Sequence, residues 1–297
     1  MRSLITTLIA TMVLIALSSP ALAAGAEFDT IEALAEAYGS EGCGKCHQAA
    51  YDEWKATPHA DSVNMVLGSL SGFIAYGIRD WWGREVSKAE LLKCLDCHAP
   101  ALNLATERLA REVAGMIVRA AEAKDPAEAA AIKEKLSALN VGCMGCHNLK
   151  STTVDLGRLG PPEAGAVYGP GGRPSPAHKS VRLPGLSTAA FCMQCHGDYE
   201  APDGTVINCN TLNGSYLDAY LARGGTKTCQ DCHMRAGGRG HRLLGGRDPA
   251  MVKQGIGFAL DVRKYQHIPG KGEERWTPSA VVNVELENRA GHRIPDG

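Results

Sequence analysis

The stretch "TKTCQDCHMR", residues 226–235, sets two cysteines, Cys229 and Cys232, two residues apart and follows them at once with His233. The same arrangement recurs as "CGKCH" (Cys43, Cys46, His47), "CLDCH" (Cys94, Cys97, His98), "CMGCH" (Cys143, Cys146, His147) and "CMQCH" (Cys192, Cys195, His196). These motifs use all but one of the 11 cysteines. Histidine is only 10 of the 297 residues, so its place after every pair is not chance. The histidine belongs to the device.

Three devices use paired cysteines. A zinc ribbon needs two pairs converging on one metal, and nothing in zinc chemistry fixes a histidine beside the second cysteine of each pair. A redox-active pair is expected once, not five times. Covalent haem attachment requires all three residues, because two thiols add to the vinyl groups and the adjacent imidazole lies under the ring as proximal iron ligand. The cofactors expected are therefore five covalently attached c-type haems.

The N-terminus gives the compartment. "MRSLITTLIATMVLIALSSPALA" has an early positive charge at Arg2, an apolar run from Leu4 to Leu17 and a small-residue site at Ala21-Leu22-Ala23. The run is short for a membrane span, so residues 1–23 read as a cleaved secretory signal, with an uncleaved anchor as the alternative. No later stretch approaches spanning length, and a periplasmic or extracellular location follows. A formal net charge of −1 gives no footprint for nucleic-acid binding.

Aromatic residues are only 5% of the chain, thin for a conventional core, and five macrocycles would supply apolar bulk. The motifs begin at 43, 94, 143, 192 and 229, about one haem per fifty residues, which leaves little room for a separate protein core. The expected fold class is mostly α with extensive loops, organised around a haem stack, with a short β region at the C-terminus. Residues 24–275 form the pentahaem domain in this reading, and 276–297 start a C-terminal β region, cut short within a longer protein. "SKAELLKC" has Ser87 and Glu90 at capping-box spacing, which delivers Cys94 from the end of a short helix. Residues 104–123 place Leu104, Leu109, Val113, Met116, Ile117 and Ala120 at helical spacing, and a second helix starts at Asp125 and Pro126. Residues 151–187, rich in proline and glycine, read as an irregular connection. "DPAMVKQGIGFAL" from Asp248 reads as a late helix, and "AVVNVELEN" as a strand with almost no chain left to pair with it.

Five haems take the five proximal histidines and leave five more: His59, His178, His241, His267 and His292. The arithmetic permits every iron to be bis-histidine. His59 and His178 follow prolines in loops, and His241 lies in the glycine-rich "GGRGHRLLGG", so these three are the better distal candidates. His267 and His292 lie beyond the last motif. Met65 and Met116 fit apolar helical faces better than axial positions. Cys209, the leftover thiol, reads as buried and unreactive, with a reactive or bridging thiol as the alternative. Arg235, Arg239, Arg242 and Arg247 crowd one segment, suited to haem propionates or to an anionic substrate.

"CHQAAYDEWKATPHADS", "YGPGGRPSPAHKS" before "FCMQCHGD", "TCQDCHM" before "HRLLGGRDPAMV", and "NRAGHRIPDG" resemble, in that order, signatures of multihaem cytochromes related to cytochrome c-554 and hydroxylamine oxidoreductase. That group includes extracellular nanowire-type cytochromes. The resemblance spans about residues 40–297 and implies a mostly helical fold of closely spaced haem pairs, with His59, His178 and His241 as distal ligands. Arg247 stands where related sequences often carry histidine, and the Cys-x-x-Cys-Lys motif of pentahaem nitrite reductases is absent.

The function expected is electron transfer in the cell envelope in anaerobic respiration, with redox proteins as partners. The resemblance to nanowire-type cytochromes also allows a homo-oligomer or filament. The alternative is a multihaem oxidoreductase with one open haem, acting on small nitrogen, sulfur, selenium or metal species. Full closure of all five irons, with His267 and His292 folding back, favours the carrier.

Overall fold

The structure is a computed structural model that describes residues 27–151, 160–200, 204–209, 211–267, 270–272, 275 and 277–295. The expected signal, residues 1–23, lies outside the described residues. Seven helices come first: α1 (Ile31–Tyr38), α2 (Glu41–Gly44), α3 (Gln48–Lys55), α4 (Ser62–Gly72), α5 (Lys88–His98), α6 (Glu107–Glu122) and α7 (Pro126–Ser137). A π-helix, Phe73–Trp81, continues α4.

Local chemistry sets these boundaries. Thr106 caps α6 by accepting from the Leu109 amide at 3.2 Å, and Asp125 caps α7 by accepting from Ala127 at 2.9 Å, with Pro126 in the first turn where its missing N–H costs nothing. The helical spacing over 104–123 is realised from Glu107 onward, while Leu104 falls in a preceding 3₁₀ turn. Ser87 and Glu90 form the capping box of α5. That helix does not end near Cys94. It runs on through His98, so the second motif rides on its last turns.

A protein core larger than the haem count implies fills this half. Leu34 of α1, Leu70 of α4, Leu91 and Leu95 of α5, Leu109 and Ile117 of α6 and Leu136 of α7 are almost fully buried against one another. Scarce aromatics had pointed to a thin core. Aliphatic side chains at helical spacing build it instead, each stabilising the fold by about 1.5–3 kcal/mol.

Past residue 139 the protein core shrinks to Ala166, Tyr168, Leu183 and Leu186 with a few neighbours. Elements here are short: helices α8 (Ala189–Met193), α9 (Leu212–Ser215) and α10 (Pro249–Gly255), and strands β1 (Ala166–Gly169), β2 (Lys179–Arg182), β3 (Asp198–Glu200) and β4 (Val206–Asn208). β1 and β2 pair in parallel inside the segment expected to be irregular, because Ala166 and Tyr168 bury one face of β1; residues 152–159 of that segment lie outside the described residues. Gly172, at φ +59°, turns the chain where a Cβ would strike Arg182.

The C-terminal expectation needs correcting. The late helix stops at Gly255, and residues expected to continue it form β5 (Ile256–His267), which pairs antiparallel with β6 (Thr277–Asn288) over twelve residue pairs. The strand predicted from "AVVNVELEN" therefore has its partner just upstream, and the β region begins at residue 256. Phe258, Leu260 and Val262 alternate with polar residues, a period of two that a helix cannot use.

Arg84 first, then the amide and hydroxyl of Ser87, hold the Glu90 carboxyl at about 2, below its ordinary 4.5. A depressed carboxyl stabilises the fold above its unfolded value and loses that contribution as pH falls through the folded one. Glu90→Gln is accordingly expected to lower the urea midpoint at pH 7. That deficit should shrink as pH drops below about 4.5 and vanish near 2, measured by paired urea titrations of both proteins.

Candidate haem sites

Four of the five motif histidines face a second histidine. Ring centres lie 6.4 Å apart for His47 and His178, 6.1 Å for His196 and His59, 6.2 Å for His147 and His241, and 6.2 Å for His233 and His292. An iron bonded at about 2.0 Å to a ring nitrogen on each face, with ring centres about 1.1 Å further out, spaces two axial imidazoles by about 6.2 Å. The separations are too long for ring stacking in contact and fit one metal between each pair.

In four of these histidines one ring nitrogen is occupied in the way ligation by the other requires. Nδ1 of His98 lies 3.0 Å from the Ser62 carbonyl, that of His147 2.7 Å from the Tyr168 carbonyl and that of His292 2.8 Å from the Arg293 carbonyl, while His233 uses the Leu244 carbonyl. A carbonyl can only accept, so Nδ1 carries the proton and Nε2 keeps its lone pair for a metal. His59 differs: its buried Nδ1 has no hydrogen-bond partner among the described residues. Burial, reinforced by His196 and His98, holds His59 down to about 4, and burial also lowers His98, His196, His233 and His241. The neutral imidazole is the ligand form.

Backbone features present the second histidines. His241 is fixed by its amide, which donates to Glu53 Oε2 at 2.8 Å, and Gly240, at φ +56°, lets α3 approach where a Cβ would run into that carboxylate. The glycine-rich context of His241 gives no sign of Glu53, which lies 188 residues away in sequence. His292 reaches His233 because the β5–β6 hairpin returns the chain, after which Asn288 donates to the His292 carbonyl at 2.9 Å and Arg293 donates to Ser215 at 3.2 Å.

Two histidines stand apart. Among the described residues no second imidazole faces His98, which Ser62 grips twice, through its carbonyl and through a hydroxyl that donates to the His98 carbonyl at 2.7 Å. His267 lies exposed at the far end of β5, its ring beside Tyr265. The chain does not bring His267 to any motif histidine, because strand pairing carries it away from the haem motifs.

The residues between the motif cysteines knit the motifs together. Asp96 of the second motif pairs with Lys150, just after the third, at 2.6 Å, and Gln194 of the fourth donates to the Lys150 carbonyl at 3.0 Å. Gln230 of the fifth donates to the carbonyls of Leu186 at 2.9 Å and Thr188 at 2.7 Å. Thiols of different motifs also meet: Cys43 with Cys143, Cys97 with Cys195, and Cys192 with Cys229. Cys192 also feels the charge of Cys146. The contacts tie the first motif to the third, the second to both the third and the fourth, the third to the fourth, and the fourth to the fifth.

Arg235 pairs with Asp231, Arg239 binds the Cys232 carbonyl and Gln254, and Arg242 approaches Glu53 at 3.9 Å, whereas Arg247 is exposed. Cys209 is exposed, contrary to the expectation of a buried thiol. It follows the surface strand β4, which runs past α5 near Cys94.

Triads of the haem-attachment type, tied to one another and most facing a second imidazole, are what a c-type cytochrome requires. Residues 42–148, which span the first three motifs, match the family model described as cytochrome c554 and c-prime, so over that stretch the chain is similar to this cytochrome family. No curated protein and no solved structure matches the chain. Among the described residues, no helix is long and apolar enough to cross a membrane.

Gln230 is buried, and its loss strands two carbonyls. Gln230→Ala is expected to destabilise the protein by about 2–3 kcal/mol, measured by denaturant unfolding followed at the haem absorbance.

Proposed function

We propose that the chain is a pentahaem c-type cytochrome that carries electrons in the cell envelope in anaerobic respiration, exported by residues 1–23 and served by redox protein partners. The observation that carries this reading is the set of four imidazole pairs at 6.1–6.4 Å. In it His47 and His178 hold the first haem, His147 and His241 the third, His196 and His59 the fourth, and His233 and His292 the fifth. Bound haem supplies a one-electron iron couple. The polypeptide attaches each group through its cysteine pair, favours the neutral form of His59, His98, His196, His233 and His241 by burial, and ties the motifs to one another through the contacts among them.

A second reading is favoured by one observation: His98 alone has no facing imidazole among the described residues. With His98 as sole protein ligand, the second centre keeps a free coordination face, and the protein becomes an oxidoreductase of small nitrogen, sulfur, selenium or metal species. The carrier reading is preferred, since the second motif is tied to both the third and the fourth and Ser62 holds His98 through its carbonyl and its hydroxyl.

Mass spectrometry of the mature protein is expected to give five haems, and EPR of the oxidised protein four low-spin irons and one high-spin iron. His178→Ala should add one further high-spin iron and leave the rest little altered. Five low-spin irons in dilute solution would refute the open second centre. Steady turnover of nitrite or hydroxylamine, tied to cyanide binding at one haem, would move the assignment from carrier to enzyme.

A further inference from the structure

The β5–β6 hairpin is anomalous as a piece of folded protein. Its twelve-residue strands extend about 40 Å, and a two-stranded ribbon alone in water is marginal unless something covers a face. The register sorts its side chains into two unlike faces. One carries the cross-strand pairs Phe258–Leu286, Leu260–Val284 and Val262–Val282, all six residues between 54% and 68% exposed. The other carries Asp261, Arg263, Glu285 and Glu287, with Asp261 and Arg263 joined at 2.8 Å, and among them the isolated apolar residues Tyr265 and Val281. Contiguous apolar rows lie on one face only, so sheet-on-sheet packing is called for there rather than edge extension.

We infer that this apolar face is covered by the same face of a second copy, forming a twofold dimer. The open apolar area is on the order of 600 Å² per copy, so two copies bury about 1,200 Å², the lower bound of a standard interface. The face is self-complementary, as a twofold contact requires. Its three apolar rows centre on Leu260–Val284, and its one charged side chain, Lys264, lies to one side of them. A twofold axis through the central row sets each Lys264 over the other copy's Ile256–Asn288 row, so the lysines never meet. The carboxylates on the back face oppose attraction to an anionic membrane surface.

Sedimentation equilibrium of the haem-loaded protein, over about a hundredfold range of concentration, tests this. The wild type is expected to reach dimer mass. Val284→Lys should raise the dissociation constant at least about tenfold. Glu285→Lys, one residue on and facing away, should leave it within about twofold. Leu260→Thr keeps a strand-forming residue and should weaken the dimer like Val284→Lys if the latter disturbs folding. A wild type that stays monomeric, or equal weakening by the two lysine variants, overturns the proposal. So does a monomer that sediments with phosphatidylcholine–phosphatidylglycerol vesicles and loses that binding on Val284→Lys, an outcome that assigns the face to a membrane. Mass is read independently of haem count, so failure here leaves the cytochrome reading intact.

Discussion

The distance at which two imidazoles face each other is the constraint on which the rest of this structure depends. Rings about 6.2 Å apart leave each other's van der Waals contact unused, so protein packing alone gives no reason to hold them there. In the proposed reading, an iron between them gives one. Each pair joins a motif histidine to a residue remote in sequence, and four such ties bring the proline-rich segment, the glycine-rich segment and the C-terminal hairpin back onto the motifs.

The two halves of the chain answer that constraint differently. Residues 31–139 pack aliphatic side chains between helices and form a core in the ordinary way. Beyond them the buried protein cluster is small and elements are mostly short, so order there depends on the motifs and on contacts they make. Asp96, Gln194 and Gln230 illustrate this: variable positions within the attachment sequence, they bind the flanks of other motifs. Ser62 extends the same economy, with one residue anchoring His98 by both carbonyl and hydroxyl while its hydroxyl also accepts from the Val141 amide at 2.9 Å.

The five cysteine-pair and histidine triads stand in the sequence itself, because the attachment chemistry proposed for them needs three residue types at fixed spacing. Helices α5, α6 and α7 were legible for a similar reason: capping residues and a 3.6-residue period act locally. The β5 strand was not. A helix cap at Asp248 and apolar residues continuing past Gly255 suggested one element, and the period of two at Phe258, Leu260 and Val262 went unread beside it. Glu53 was also invisible, since its role depends on Gly240 arriving from the far end of the chain.

What the sequence alone determined was the number and identity of the attachment motifs, and that histidines enough for every iron exist. Which histidine faces which was decided by tertiary structure, because partners such as His59 and His196 are set by the route of the whole chain and no local signal encodes it. The same route left His98 unpaired and carried His267 to the exposed end of a strand, where twelve backbone pairings outweigh the availability of one imidazole. A count of ligands constrains what can be coordinated; only the path of the backbone decides what is.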